Sequence, residues 1–259
     1  MKMIWVIFKK EVSGFFKSPL FYLVAFLSTI LLSITFSMGL QNFANMQANS
    51  MFQMGAAPQQ LNIHYAVFLQ HLSFLNLMFM FFIPALAMRL LAEEKKTRTF
   101  DLLLTSPVRS VDIVLGKFLA LFTVALAITA IAFVYFILSR RMFDFQWGPT
   151  IAATVGILFV AAVYSAVSLF ASSLTENTMI AFALGIIFNI SLWILGGLSE
   201  LFDGPVAKPV FDQISMNQHL QSMIEGAIRT NGLVFFLSLI FLFCFLTERV
   251  IESARWRAA

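Results

Sequence analysis

The densest run of charge in the chain is Glu93-Glu94-Lys95-Lys96-Thr97-Arg98. For such an E-E-x-x-x-R run to serve intramembrane proteolysis, histidines at set spacings would also be needed to hold a metal or activate water. The three histidines do not complete it. The residue four before His71 is Val67, and the residue four before His219 is Ser215. Four after His64, His71 and His219 come Phe68, Leu75 and Met223. His64 and His71 therefore read as outer-interface residues of one helix. Gly116-Lys117 suggests a phosphate cradle, but Val111 stands where a P-loop needs its first glycine, and Phe118 where it needs a hydroxyl. ATP binding by that motif is excluded. Cys244, the one cysteine, lies in an apolar block and has no partner for an intrachain disulfide. No catalytic residue, metal site or cofactor is expected on this chain, and the charge run reads as a solvated segment beside a membrane.

Composition says what positions these residues. Of 259 residues, 60% are apolar and 12% charged, about half the roughly 25% charge of soluble domains. Mean hydropathy is +0.87. Soluble, disordered and disulfide-scaffold classes are excluded. Six low-charge blocks run Pro19–Leu40, Tyr65–Ala87, Phe118–Leu138, Ile151–Ala171, Met179–Leu198 and Thr230–Thr247. Each is long enough to cross a bilayer as a helix, which satisfies its own backbone there. The first, at 22 residues, exceeds the roughly 7–15 of a signal peptide and reads as a retained span. With both termini inside, 13 of the 17 Lys and Arg fall on the inner side, a positive-inside pattern. The net charge of +4 therefore encodes topology and does not point to nucleic acid. The expected fold is an all-α integral membrane protein of six transmembrane helices.

The connections carry their own patterns. Residues 1–18 read as an interfacial helix, with Trp5, Phe8, Val12 and Phe15 on one face and Lys9, Ser13 and Lys17 on another. It anchors the chain to the bilayer or grips a cytoplasmic partner. Gln41–His64, free of charge, reads as a polar outer loop. Ser173 and Glu176 fit a capping box for the fifth span, and Thr175 and Glu176 offer a second cytoplasmic contact. In the outer segment 200–231, Ser215 and Gln218 make another capping-box match. Leu220, Met223, Ile224 and Ala227 then form an apolar stripe. That helix lies on the membrane or dips in to gate the outer end of a pathway. No ionisable residue sits mid-span, which counts against a proton relay. Gln70, Ser73, Asn76 and Asn189 are the polar candidates for lining a pathway; helix-to-helix hydrogen bonding is the alternative.

The inner loop, 92–112, is the most specific stretch. Charged residues through Arg98 and Thr99 lead into Phe100, Asp101, Leu103, Leu104, Thr105 and Ser106. Pro107 ends the helix, and Ser110 and Asp112 can begin the next. The product is a short rigid cytoplasmic helix, tied to two spans, on which a second protein can push.

This loop resembles the mark of the ABC-2 type permeases: Glu-(x)3-Gly-Thr-x-Glu-Leu-Leu-Leu-(Thr/Ser)-x-Pro, then Ile-Val-Leu-Gly-Lys, here Ile113 to Lys117. The resemblance covers essentially the whole chain. The gliding-motility-associated permeases are the most similar subgroup, judged by Ser172 to Asn177 and Thr247 to Ser253. Arg98 stands where the family usually has glycine, a departure at the turn itself. The resemblance implies a permease domain over 19–259 with the architecture of an ABC-2, type V exporter. It implies a cytoplasmic ABC ATPase that supplies ATP and magnesium, a second permease copy or related subunit, and a larger companion membrane protein. The bacterial inner membrane is the implied location, and export the implied direction. Glu93 to Pro107 would take the coupling role. The rival is a non-transporting scaffold that passes ATPase strokes to envelope or motility machinery.

Overall fold

A computed structural model describes residues 2–52, 62–100, 108–197 and 213–258. Among them every regular element is helical: α1 (Lys2–Lys17), α2 (Pro19–Phe52), α3 (Leu69–Ala87), α4 (Ala92–Lys96), α5 (Ser110–Ser139), α6 (Trp147–Ser173), α7 (Thr178–Gly197), α8 (Met216–Ile224) and α9 (Thr230–Ala258). A π-helical turn, His64–Phe68, leads into α3. Six helical stretches are long and apolar enough to span a membrane. The all-α, six-span expectation holds.

The helices outrun the apolar blocks, because low charge marks the hydrocarbon-facing part of a helix and not its end. No glycine or proline lies between Gly39 and Phe52, so α2 continues through the stretch from Gln41 that reads as a loop. α9 likewise runs past Thr247, supported by the Arg249–Glu252 pair at 3.0 Å. Arg140, a basic residue at the less basic end, pairs with Asp144 at 2.8 Å.

α6 is the centre. Its apolar window is 78% buried, against 17% for α7. Small residues such as Ala153, Gly156, Ala161, Ser165 and Ala166 let α3, α5, α7, α8 and α9 approach it closely, as packing in lipid requires. Asn189 of α7 donates from Nδ2 to Ser168 Oγ of α6 at 3.3 Å. One end of the bundle gathers α1, α4 and the start of α5, with Arg255 near the end of α9 donating to Val108 O at 2.8 Å. This is called the basic end, and the opposite end, holding α8, the far end.

Several local expectations are corrected. The buried stripe of α1 is Ile7, Glu11 and Phe15, with Phe8 and Val12 alongside; Trp5 is 56% exposed. An acid within the stripe hides it from an apolar-spacing rule. Ser173 does not cap α7. It ends α6 and donates to Phe170 O. Asn177 makes the turn instead, its Oδ1 accepting from Met179 N at 2.9 Å. Nor does Ser110 cap α5, where Arg109 holds the cap position without a side-chain bond. Ser215 does cap α8, accepting from Gln218 N at 3.2 Å. Past Ile224 the chain turns at Gly226, whose φ is +90°, so Ala227 leaves the helix and its stripe. His64 and His71, expected at the outer interface, are buried among helices.

α1 lies flush on α5 because Gly116 has no side chain: a Cβ there would be 2.8 Å from Ile7 Cγ2. Gly116→Val is therefore expected to lower stability by about 1–3 kcal/mol through overpacking. The readout is the melting temperature in detergent, and adding Ile7→Ala should recover part of the loss.

Candidate functional site

The basic end is organised by Lys117. Its side chain is 1% exposed, and its Nζ meets Glu11 of α1 at 2.8 Å, Glu94 of α4 at 2.9 Å and the Leu90 carbonyl at 2.7 Å. Two of its three donors go to Glu11 Oε1 and the Leu90 carbonyl, and Glu94 faces it as an ion pair. One buried cation thus ties α1, α4 and α5 together. Lys10 closes the cluster from its exposed side, 3.5 Å from Glu11 and 3.3 Å from Glu94. Desolvation works against the Lys10 ammonium, but Glu11 and Glu94 outweigh it and hold its pKa above the ordinary value. That contribution is complete below the ordinary lysine value and is lost only as pH rises through the raised one.

α4 is held at both ends by residues distant in sequence. Its leading N–H groups, those of Leu91 and Ala92, donate to Ser172 Oγ of α6 at 3.3 and 3.1 Å. A hydroxyl from another helix thus fills the capping role that Leu91 cannot. Lys95 Nζ donates to Ser173 O at 2.5 Å and lies over the Phe100 ring. Glu93 pairs with Arg89 at 2.9 Å, and Arg89 also donates to Ser18 Oγ. Glu176, beside Thr175, lies close enough to act electrostatically on Lys95. The loop expected as a second contact therefore adjoins α4.

After α4 the chain reverses at Arg98, with Arg98 N donating to Lys95 O at 3.1 Å. Arg98 has φ +59°, the only described non-glycine residue in the left-handed region. The turn thus keeps the backbone that glycine would adopt freely, and Arg98 bears the steric cost. Thr97 and Thr99 brace it, their hydroxyls 3.0 Å apart. Phe100 follows, 3% exposed. Asp101, Leu103, Leu104, Thr105, Ser106 and Pro107 lie outside the described residues.

At the far end, a cleft of about 490 Å³ opens between α3, α7 and α8. Ser73 and Asn76 line it from α3, together with Leu77, Met80 and Phe81; α7 adds Ile190 and Trp193. α8 contributes Leu220 and Ile224 from its apolar stripe and Asn217 and Gln221 from beside it. Two of the four expected pathway residues and two of the four expected gate residues therefore meet. Gln70 is exposed near Gly39 of α2, and Asn189 does not line the cleft: its Nδ2 turns to Ser168, while its buried Oδ1 has no hydrogen-bond partner. Met223 packs on Gly156 of α6. His64 fastens this end: its Nε2 donates to the Ile224 carbonyl at 3.1 Å, which leaves Nδ1 to accept from Thr150 Oγ1 at 3.3 Å.

Sequence spacing misses Lys117, Glu11 and Ser172 because Lys117 lies 106 residues from Glu11 and 23 from Glu94, and Ser172 lies 80 from Ala92. Lys117 itself reads as one more basic residue beside a span. Asn217 and Gln221 carry a weak signal, as polar residues flanking the stripe. Among the described residues, no three His, Cys, Asp or Glu side chains gather as metal ligands would.

A family model described as ABC-2 family transporter protein matches residues 5–247, nearly the whole chain. No curated protein matches it.

Lys117→Met removes the buried cation and leaves Glu11 and Glu94 facing each other with only the exposed Lys10 beside them. It should cost about 3–5 kcal/mol, read as loss of thermal stability in detergent. Adding Glu11→Gln and Glu94→Gln should restore most of it. Arg98→Gly should stabilise by up to about 1 kcal/mol, because relief of the left-handed strain slightly exceeds the entropy glycine loses.

Proposed function

We propose a role from the premise that the chain belongs to the ABC-2 family of transporter proteins: it is the permease subunit of an ATP-driven exporter. The family is one of multi-pass membrane subunits, generally without catalysis of their own. The observation that carries the proposal is the clamped α4. Its first turn follows the end of α3, its carboxylate Glu94 is held by Lys117, and its amides sit on Ser172. A load applied to α4 is passed to α1 and α5 through Lys117, to α6 through Ser172, and to α3 through the turn 88–91.

A cytoplasmic ABC ATPase binds the segment from Glu93 to Pro107, with Thr175 and Glu176 as a second contact. The partner holds ATP and magnesium, and its closing pushes on α4. α3 carries the displacement from the basic end to Ser73 and Asn76 in the far-end cleft. Leu220 and Ile224 of α8 border that cleft and form the outer gate, and His64 fixes the pivot. A second permease copy completes the pathway. The 13 basic residues on the inner side of the assigned topology support cytoplasmic termini, and the membrane of this proposal is a bacterial inner membrane. Residues 1–18 brace the six-span domain 19–259. The similarity to gliding-motility permeases adds a larger companion membrane protein.

Phe100→Asp puts a charge into the buried contact beside Lys95. Expected is loss of the ATPase from mild-detergent purifications and at least a tenfold fall in ATP-dependent flux in sealed vesicles. An unchanged complex and flux would remove this segment from the mechanism. A retained complex with stimulated ATPase but no flux of any cargo would favour the scaffold role.

A further inference from the structure

We propose that the cleft between α3, α7 and α8 binds an uncharged amphiphile: one apolar chain ending in a polyhydroxyl head, either glycerol or sugar. The proposal deepens the transport role above and rests on it for its biological meaning.

The chemistry of the walls makes the choice. Among the described residues none of the lining side chains is ionisable, so a charged ligand would be desolvated there without a counter-charge. The polar groups Ser73, Asn76, Asn217 and Gln221 cluster toward the far end. Met80 and Phe81 lie deeper along α3, about 12 Å from Ser73 to Phe81 at 1.5 Å per residue. The cleft thus grades from polar to apolar over the length of a lipid's upper segment. Its mouth is apolar, with Leu77, Phe81 and Trp193 each more than two-fifths exposed, so a chain can enter sideways from the bilayer. A volume of about 490 Å³ falls within the usual range of small-molecule sites, roughly 300–1,000 Å³.

One group asks for a ligand. Asn76 is 8% exposed and lines the cleft. The buried Tyr164 hydroxyl beside it lies close enough to act on one end of its amide as a hydrogen-bond partner. Whichever way the amide is turned, Tyr164 can satisfy one of its ends and the other faces the cleft. A hydroxyl donates and accepts, so it completes Asn76 in both orientations; a carboxylate or an ammonium completes only one and adds a charge.

The test uses the full chain in phosphatidylcholine–phosphatidylglycerol nanodiscs, without any ATPase, so binding and transport fail separately. The probe is a monoacylglycerol with a diazirine in its chain, mapped by peptide mass spectrometry. Expected are cross-links in 73–81, 190–193 and 217–224. Excess monoacylglycerol or alkyl glucoside should suppress them, and whichever does so at lower concentration identifies the head as glycerol or sugar. Lysophosphatidate and fatty acid should be at least tenfold weaker competitors. Asn76→Leu should cut labelling about tenfold, the loss of one buried hydrogen bond. Asn217→Leu, on the cleft rim, should lower it without altering the melting temperature. Labelling spread evenly over lipid-facing helices, equal competition by the charged lipids, unchanged labelling in both variants, or occupation of the cleft by a second copy would each overturn the proposal.

Discussion

The structure depends on a cation buried against two carboxylates. Taking Lys117, Glu11 and Glu94 out of water carries a desolvation penalty of several kcal/mol per ion, repaid only where the geometry is close and hydrogen bonds support the pairing. Here the contacts are 2.7–2.9 Å, and Lys10 balances the second acid from outside. Such a cluster adds less net stability than an apolar plug would. It gives instead a single allowed arrangement of α1, α4 and α5, since any slip leaves a charge unpaired.

The rest of the basic end builds on that arrangement. With Glu94 fixed, α4 presents its amides to Ser172, and its C-terminal turn brings Lys95 to the end of α6. The reversal at Arg98 follows immediately, strained but braced by two threonines. α6 connects the two ends: Ser172 holds α4 at one, while Thr150 and Gly156 hold His64 and α8 at the other. α3 runs beside it from the cleft to α4. In the proposed mechanism these two helices are the lever and its bed.

Fold class was legible because lipid imposes a strict rule: long uncharged blocks must be helices, and the chain has six. The α8 cap at Ser215 was legible too, because a capping box is local. Helix ends were not, since Gln41 to Phe52 lack charge and lack breakers alike. Contacts closed over long sequence distances were not legible either. Nothing near Leu91 announces that Ser172 will cap it, and Glu11 interrupts an apolar stripe for a reason visible only where Lys117 stands. The cleft was half legible. Ser73, Asn76, Leu220 and Ile224 stand out by type and spacing, while Gln70 and Asn189, of the same types, point elsewhere. Polarity inside a span identifies a residue with a partner, and only packing says whether that partner is another helix or a ligand.

Amide hydrogen exchange on α1 and α4, compared between the native chain and Lys117→Met, bears most directly on the clamp. If one ammonium holds both helices, protection in the two segments falls together, by roughly two orders of magnitude for a loss near 3 kcal/mol, while the core of α6 keeps its own. Unchanged protection in α4, or loss confined to α5 around residue 117, would contradict it.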